Sequence, residues 1–215
     1  MTIDSTIFFL SMFAKGTTNA LFLLVATALI ASMIAAVLTV LDVAAPRPVR
    51  WLVRCYSWLA QTTPPLILLF VAFYGSSALG WFISPMAAAL CAFVFFAAAY
   101  YFEILRASFN GVPRDQFEAA RALGIPPHRF VFKVVIPQML KIAAAPYIGR
   151  TTVLLKETSL ASAISVPEIM NITSGFVYSG SNPLLLIGVA GLIYIFLNLA
   201  LISLEGRLSS RKAAQ

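Results

Sequence analysis

The chain is poor in charged side chains. Only 11% of its 215 residues are charged, whereas 60% are hydrophobic. A soluble domain of this size needs more polar side chains to cover its surface, so the composition excludes an ordinary water-soluble fold. Residues 16–41 and 55–102 contain no Lys, Arg, Asp or Glu. Because a helix needs about 20 apolar residues to cross the hydrocarbon core of a bilayer, the sequence predicts an integral membrane protein.

Residues that carry enzyme chemistry are also scarce. The two cysteines, Cys55 and Cys91, have no metal-ligand spacing, and His128 is the single histidine. We therefore expect no catalytic residue, metal or cofactor on this chain. The sequence lacks a Gly-x-x-x-x-Gly-Lys-Ser/Thr loop, so any ATP hydrolysis must take place on another chain. It also lacks an arginine-rich run with interleaved aromatics, which argues against nucleic-acid binding.

Proline and glycine divide the apolar sequence into five predicted membrane-spanning helices in a single transmembrane domain, residues 1–215. The predicted spans cover about residues 17–41, 56–73, 85–105, 138–155 and 184–204. Residues 3–13 are apolar enough to form a separate short helix at the membrane interface. The predicted fold class is therefore an all-α integral membrane protein.

Basic residues are distributed unequally between the predicted loops. Residues 42–54, 106–141 and 205–215 together contain 12 Lys and Arg, whereas the opposite side has Lys15 alone. Because cytoplasmic loops carry the excess of Lys and Arg, we expect the N-terminus outside and the C-terminus in the cytoplasm. The residues between the third and fourth spans, about 106–137, then form a large cytoplasmic loop.

This cytoplasmic loop contains a polar stretch that predicts a short helix over about 113–123. The proline at its start suits the first turn of a helix, where an N–H has no partner. Gly124 is able to adopt the left-handed turn that ends a helix. Phe117, Ala120 and Leu123 would form one apolar side. Because so short a helix cannot bury that side alone, it lies either in a partner's groove or as a loop helix on the membrane or on its own bundle.

Motifs in this loop and in the following helix resemble those of a known transporter family. Glu118-Ala119-Ala120, Gly124 and Ile136-Pro137-Gln138 are similar to the cytoplasmic loop signature of the inner-membrane permease subunits of bacterial ABC importers. Leu155-Lys156-Glu157-Thr158-Ser159-Leu160-Ala161, followed by Val166-Pro167-Glu168, resembles the polar-amino-acid subfamily, which includes histidine, glutamine, arginine and opine permeases.

The resemblance covers nearly the whole chain, about residues 17–206, with three departures. Gln61-Thr62-Thr63-Pro64 stands where the subfamily usually has Arg-Gly-Thr-Pro, and Ile148-Gly149 stands where it usually has Gly-Asn. Glu157 replaces a common aspartate. These departures leave the transporter class intact and leave the solute open.

The resemblance implies a type I importer fold and a permease subunit of an ATP-driven importer for a polar amino acid or related small solute. The short helix would dock on a cytoplasmic ATPase dimer, which would bind ATP and Mg, through Phe117, Glu118, Ala119, Ala120, Leu123 and Gly124. A second permease, identical or a sister subunit, would complete the pathway within the lipid of the bacterial inner membrane. An extracytoplasmic solute-binding protein would deliver the solute.

Ionisable side chains in or near the predicted spans are candidate pathway residues, because such groups cost about 2.5 kcal/mol or more at the bilayer centre unless paired or hydrated. Glu103 either forms an ion pair with the arginine three residues later or faces the solute. Lys156 and Glu157 either contact the solute or have structural or gating roles, and Tyr100 either lines the pathway or is an interface anchor or packing residue. The sequence identifies no partner for Arg150.

Two other functions compete with the importer interpretation. A secondary transporter or channel working without an ATPase would need internal repeats or a self-contained site, and no repeat is evident in the five segments. It would also leave the polar stretch of the cytoplasmic loop unexplained. A membrane scaffold would leave the intramembrane charges without a function. Copurification of an ATPase would distinguish the importer from both.

Overall fold

The computed structural model describes the backbone of residues 3–213 and the side chains of residues 7–203. Over these residues the backbone forms eight helices joined by short loops. They are α1 Ile3–Ala44, α2 Arg47–Thr62, α3 Pro65–Ala78, α4 Pro85–Asn110, α5 Arg114–Ala122, α6 Pro127–Ile164, α7 Ile169–Tyr178 and α8 Pro183–Ala213. The described part of the chain is therefore all-helical, as the composition predicts.

Four helices, α1, α4, α6 and α8, are long and apolar enough to cross a membrane, and α2 with α3 makes a fifth crossing if the bent pair is one span. The chain direction bends by 102° between α2 and α3. The sequence predicts one helix over 56–73, which is wrong. Pro64 and Pro65 have no N–H to donate, so the helix stops at Thr62 and a new one begins after the bend.

The first span is longer than predicted. The structure has one helix through Ile3–Ala44 in place of an interfacial helix at 3–13 and a span at 17–41. The ring centroids of Phe9 and Phe13 lie 5.1 and 6.1 Å from that of Phe176 in α7. The early turns of α1 therefore pack on α7 and continue the span.

The remaining spans also extend beyond the predicted ends. α4 continues past residue 105 to Asn110. α6 begins at Pro127, well before residue 138, and a π-helical turn at Val131–Val135 precedes Pro137. Since Pro137 cannot donate a backbone hydrogen bond, this local distortion lets the helix continue through it.

α4 is the central helix of the bundle and contacts α1, α2, α3 and α6. Its buried side chains include the small Ala88, Ala89 and Ala92 and the large Phe93 and Phe96. Small residues let neighbouring helices approach closely, which matters in a membrane because lipid gives helices no hydrophobic reason to associate. The core of the protein is therefore built around one alanine-rich helix.

α1 makes a close contact with the beginning of α7. A Cβ atom added to Gly16 would lie 3.1 Å from the backbone carbon of Glu168 and 3.2 Å from the nitrogen of Ile169. Asn19 Nδ2 donates a 2.7 Å hydrogen bond to the carbonyl of Pro167. Glycine is required at this position because backbone atoms of α7 occupy the space that a side chain would need.

We expect Gly16→Val to destabilise the protein by about 1–3 kcal/mol, since the valine would be forced into the α7 backbone. The measurement is the thermal unfolding of the detergent-solubilised protein. Gly188→Val in α8 is the matched control, because nothing lies within 4 Å of its Cβ position. Equal melting temperatures for the two variants would contradict the close contact.

Candidate functional site

The inner side of α5 packs on its own loop. The Phe117 ring meets Phe109 and Phe130 edge to face, with centroids 6.0 and 5.1 Å away. Ala120 is buried in the same cluster. The sequence predicts that Phe117 and Ala120 belong to an apolar side that docks on a partner, but the structure packs both residues against their own chain. The aromatic residues that flank α5 in the sequence fold back and cover that side.

The outer side of α5 is exposed. Glu118, Ala119 and Leu123 all lie there, and 76% of the Leu123 surface is accessible. Gly124 follows directly and is also exposed. We call these four residues the outer face of α5. It combines a large apolar side chain, a small one and a carboxylate, whereas the inner side is occupied.

Gly124 ends α5 in the left-handed conformation that the sequence predicts, with φ +65°. The N–H of Ile125 donates to the carbonyl of Ala120 at 2.9 Å, and the N–H of Gly124 donates to the carbonyl of Arg121 at 3.1 Å. These two bonds form a Schellman motif, which satisfies carbonyls that the end of a helix leaves free. The direction in which the chain leaves α5 is therefore fixed by one glycine.

Arg150 and Glu157 form an ion pair within α6. Arg150 Nη2 lies 2.9 Å from Glu157 Oε2. The guanidinium group also lies over the rings of Tyr100 and Phe96 in α4, 4.2 and 4.9 Å from their centroids. Nε and Nη1 of Arg150 are buried and have no hydrogen-bond partner among the described residues. The pair and the two rings together stabilise a charge inside the bundle.

This pair provides the partner for Arg150 that sequence reasoning missed. The signal was the seven-residue spacing of Arg150 and Glu157, because about two turns of helix bring both side chains onto one face. The neighbouring Lys156 is exposed and forms no ion pair within the described part of the chain. Of the predicted pathway residues, the structure therefore brings Tyr100 and Glu157 together and leaves Lys156 apart.

Glu103 lies in a network of charges where α1, α2 and α4 meet. Its carboxylate accepts hydrogen bonds from Arg106 Nη1 at 3.0 Å and from Ser57 Oγ at 2.9 Å. Arg106 also lies 3.4 Å from the buried Asp42, which accepts a 2.7 Å bond from Arg54. Of the two roles considered for Glu103, the structure therefore forms the ion pair with Arg106. This network connects three helices at the end of the bundle that carries the α4–α5 loop.

Glu168 is a fully buried carboxylate that the sequence marks only as part of a motif. It caps α7 by accepting hydrogen bonds from the N–H groups of Met170 and Asn171 at 2.9 and 2.8 Å. Tyr194 of α8 donates a third bond at 2.7 Å. An acidic residue directly before an apolar helix is the sequence signal for such a cap.

Four apolar spans with a bent helix pair beside them, a structured polar loop and paired charges in the bundle define a polytopic membrane protein. The match of a family profile over residues 28–213 then identifies the family. This chain belongs to the binding-protein-dependent transport system inner membrane components.

The curated relatives include amino-acid permeases. The chain is 29% identical over 191 residues to the arginine transport system permease protein ArtQ of Bacillus subtilis, which covers 87% of this chain and 86% of that protein. It is 37% identical over 123 residues to the L-cystine transport system permease protein TcyB of the same organism, covering 57% and 53%. The chain thus spans about half the length of TcyB. The predicted resemblance to amino-acid ABC permeases is confirmed.

Solved structures establish the fold. The crystal structure of an amino acid ABC transporter with histidines superposes with a TM-score of 0.90 at 23% identity, covering 98% of this chain and 100% of the other. The inward-facing MetNI methionine ABC transporter gives a TM-score of 0.82 at 18% identity, covering 98% and 99%. The fold is that of the type I ABC importer permeases, as the resemblance implies.

We expect Glu157→Gln to destabilise the protein by roughly 1–3 kcal/mol, because it leaves the Arg150 guanidinium buried without a counter-charge. Adding Arg150→Met should recover part of that loss in a double-mutant cycle measured by thermal unfolding in detergent. Lys156→Met is the control, since it removes an adjacent exposed charge that has no ion pair among the described residues. If Lys156→Met lowered the melting temperature as much as Glu157→Gln, the Arg150–Glu157 pair would not be the stabilising contact.

Proposed function

We propose that this chain is a permease subunit of an ATP-driven ABC importer and that it carries a polar amino acid or a related small solute. The observation that carries the proposal is the outer face of α5. Leu123 and Ala119 are exposed beside Glu118 although the inner side of the same helix is packed. An exposed apolar side chain on a short, rigidly capped helix suits the groove of a partner protein.

The partner of this face is a cytoplasmic ABC ATPase, which binds ATP and Mg. The packing of α5 supports this role, because Phe117 contacts both Phe109 in α4 and Phe130 in α6. Movement of α5 with the ATPase would therefore be transmitted to two spans by direct aromatic contact. The exposed residues make the contact with the ATPase, and Phe117 and Ala120 hold the helix in place.

The translocation pathway passes between this chain and a second permease, identical or a sister subunit. Glu157 and Tyr100 are the residues that we propose to face the solute, with Arg150 behind them. A zwitterionic amino acid needs a donor for its carboxylate and an acceptor for its ammonium group. The Tyr100 hydroxyl can serve as the donor, and the partly exposed Glu157 carboxylate, held by the buried Arg150, is the acceptor. Glu103 instead holds α2 and α4 together.

The chain lies in the inner membrane with the N-terminus outside and the C-terminus in the cytoplasm. The excess of Lys and Arg in residues 42–54 and 106–141 supports this orientation. The loops at residues 79–84 and 179–182 then face outside, where an extracytoplasmic solute-binding protein delivers the solute. We propose that these loops contribute to its docking surface.

We expect the tagged chain, purified from its own host in mild detergent, to copurify with an ABC ATPase that mass spectrometry identifies. A second permease in the same complex would establish a heterodimer, and two copies of this chain per complex would establish a homodimer. Recovery of the chain alone in several mild detergents would overturn the importer proposal. An ATPase-independent transporter or channel would then be the better interpretation.

We expect Gly124→Val to reduce both solute uptake and retention of the ATPase. A β-branched residue in the left-handed conformation costs about 1–2 kcal/mol, which corresponds to roughly a five- to thirtyfold change in an equilibrium. The measurements are uptake in cells and ATPase copurification.

Gly80→Val is the matched control for ATPase retention, because Gly80 also ends a helix with a positive φ, +80°, and has nothing within 4 Å of its Cβ position. It should leave ATPase retention unchanged, since it lies outside the α4–α5 loop. Normal uptake and normal ATPase retention by Gly124→Val would contradict the proposed role of this turn.

A further inference from the structure

α2 carries a cluster of arginine side chains beside exposed tryptophans. Arg47, Arg50, Trp51 and Arg54 line one surface cavity of about 290 Å³. Trp51 and Trp58 have 66% and 67% of their surfaces exposed. Tryptophan is enriched where a membrane protein meets the lipid headgroups, and arginine is the side chain best suited to bind phosphate. The cavity therefore combines the two residue types expected at a headgroup site.

The cluster has an excess of positive charge. Arg54 is paired with Asp42 at 2.7 Å, and Arg106 reaches both Asp42 and Glu103. Arg47 and Arg50 form no ion pair with any described residue. The two carboxylates of this region are thus already used by Arg54 and Arg106. Two guanidinium groups remain available to an anion.

The helical positions of these residues match an interfacial helix. The buried face of α2 consists of Val53, Ser57 and Ala60. Successive residues on a helix are about 100° apart, so Arg47, Trp51, Arg54 and Trp58 form one stripe beside that face. Leu52 and Leu59 lie on the far side of the stripe and are exposed. The protein contact, the arginine–tryptophan stripe and the exposed leucines therefore occupy three faces about 120° apart, as in helices that lie between headgroups and acyl chains.

The bend after α2 supports this location. α3 has 14 residues and α2 has 16, so their lengths of about 21 and 24 Å are each shorter than a hydrocarbon core of about 30 Å. Neither arm crosses the membrane alone. The middle of α2 packs on α4, where Tyr56 donates to the carbonyl of Phe95 and Ser57 to Glu103, which leaves the arginine-bearing first turns nearer the surface.

We propose that Arg47 and Arg50, with Trp51, bind the phosphate of an anionic phospholipid in the leaflet next to the α4–α5 loop. The guanidinium forks donate paired hydrogen bonds to the phosphate oxygens, the indole lies at headgroup level, and Leu52 and Leu59 contact the acyl chains. A lipid is favoured over free phosphate because the exposed Trp51 and Trp58 lie in the same stripe as Arg47. This inference does not depend on the solute or on the ATPase.

The test uses the chain in the assembly in which it is purified, reconstituted into vesicles of phosphatidylcholine with phosphatidylglycerol. Lipid that remains bound after extraction is counted by native mass spectrometry. Arg47→Gln/Arg50→Gln should lower bound phosphatidylglycerol by on the order of fivefold for each arginine removed and leave bound phosphatidylcholine unchanged. Arg129→Gln/Lys133→Gln removes the same charge from the α5–α6 region and should retain phosphatidylglycerol.

Three results would overturn the proposal. Unchanged phosphatidylglycerol retention by Arg47→Gln/Arg50→Gln would exclude the site. An equal loss in Arg129→Gln/Lys133→Gln would show that net charge alone attracts the lipid. Displacement of phosphatidylglycerol by inorganic phosphate would show a general phosphate site. None of the four substituted residues has an ion-pair partner among the described residues. Both double variants should therefore have the melting temperature of the unsubstituted protein, so that a loss of lipid binding can be distinguished from a loss of folding.

Discussion

The structure depends on the pairing of charges that its helices carry into the bundle. An ionised side chain that is buried in the bundle is costly unless it is paired or hydrated, so such groups need partners within the protein. Asp42 contacts Arg54 and Arg106, and Glu157 contacts Arg150. The two Asp42 contacts link α1 to α2 and α4, and the Arg150 guanidinium of α6 lies over the Tyr100 ring of α4. Satisfying the charges therefore also sets how α1, α2, α4 and α6 pack.

The same constraint applies to the backbone between α6 and α7. Lipid offers no hydrogen bonds, so irregular backbone at membrane depth has to be enclosed by protein. Ser165 adopts a left-handed conformation with φ 64°, and the N–H of Val166 donates to the carbonyl of Ala161 at 3.1 Å. Glu168 then caps α7, and Gly16 of α1 closes over the connection. A buried acid and a glycine thus serve one purpose, which is to enclose a non-helical turn.

Sequence patterns predicted much of this arrangement, because the relevant signals are local. Runs without charge predicted the spans, and Gly124 predicted the end of α5. The inner position of Phe117 was not predictable, since it depends on aromatic residues folding back from both flanking helices. The bend at Pro64 was misjudged because a long apolar run suggested one helix. The Arg150–Glu157 pair was predictable only from a spacing of two helical turns. The contact of Arg150 with the aromatic rings of α4 is long-range, and only the structure supplies it.

α4 connects the features that distinguish this chain. Phe109, near its end, contacts Phe117 of α5, and Glu103 and Arg106 hold the network with α1 and α2. Phe96, about 20 Å farther along the helix, supports the Arg150 guanidinium together with Tyr100. A displacement of α5 would therefore move a helix that is anchored to the intramembrane ion pair. Because the helix is continuous from Pro85 to Asn110, it joins the α4–α5 loop directly to the rings that hold the ion pair, without an intervening break in the backbone.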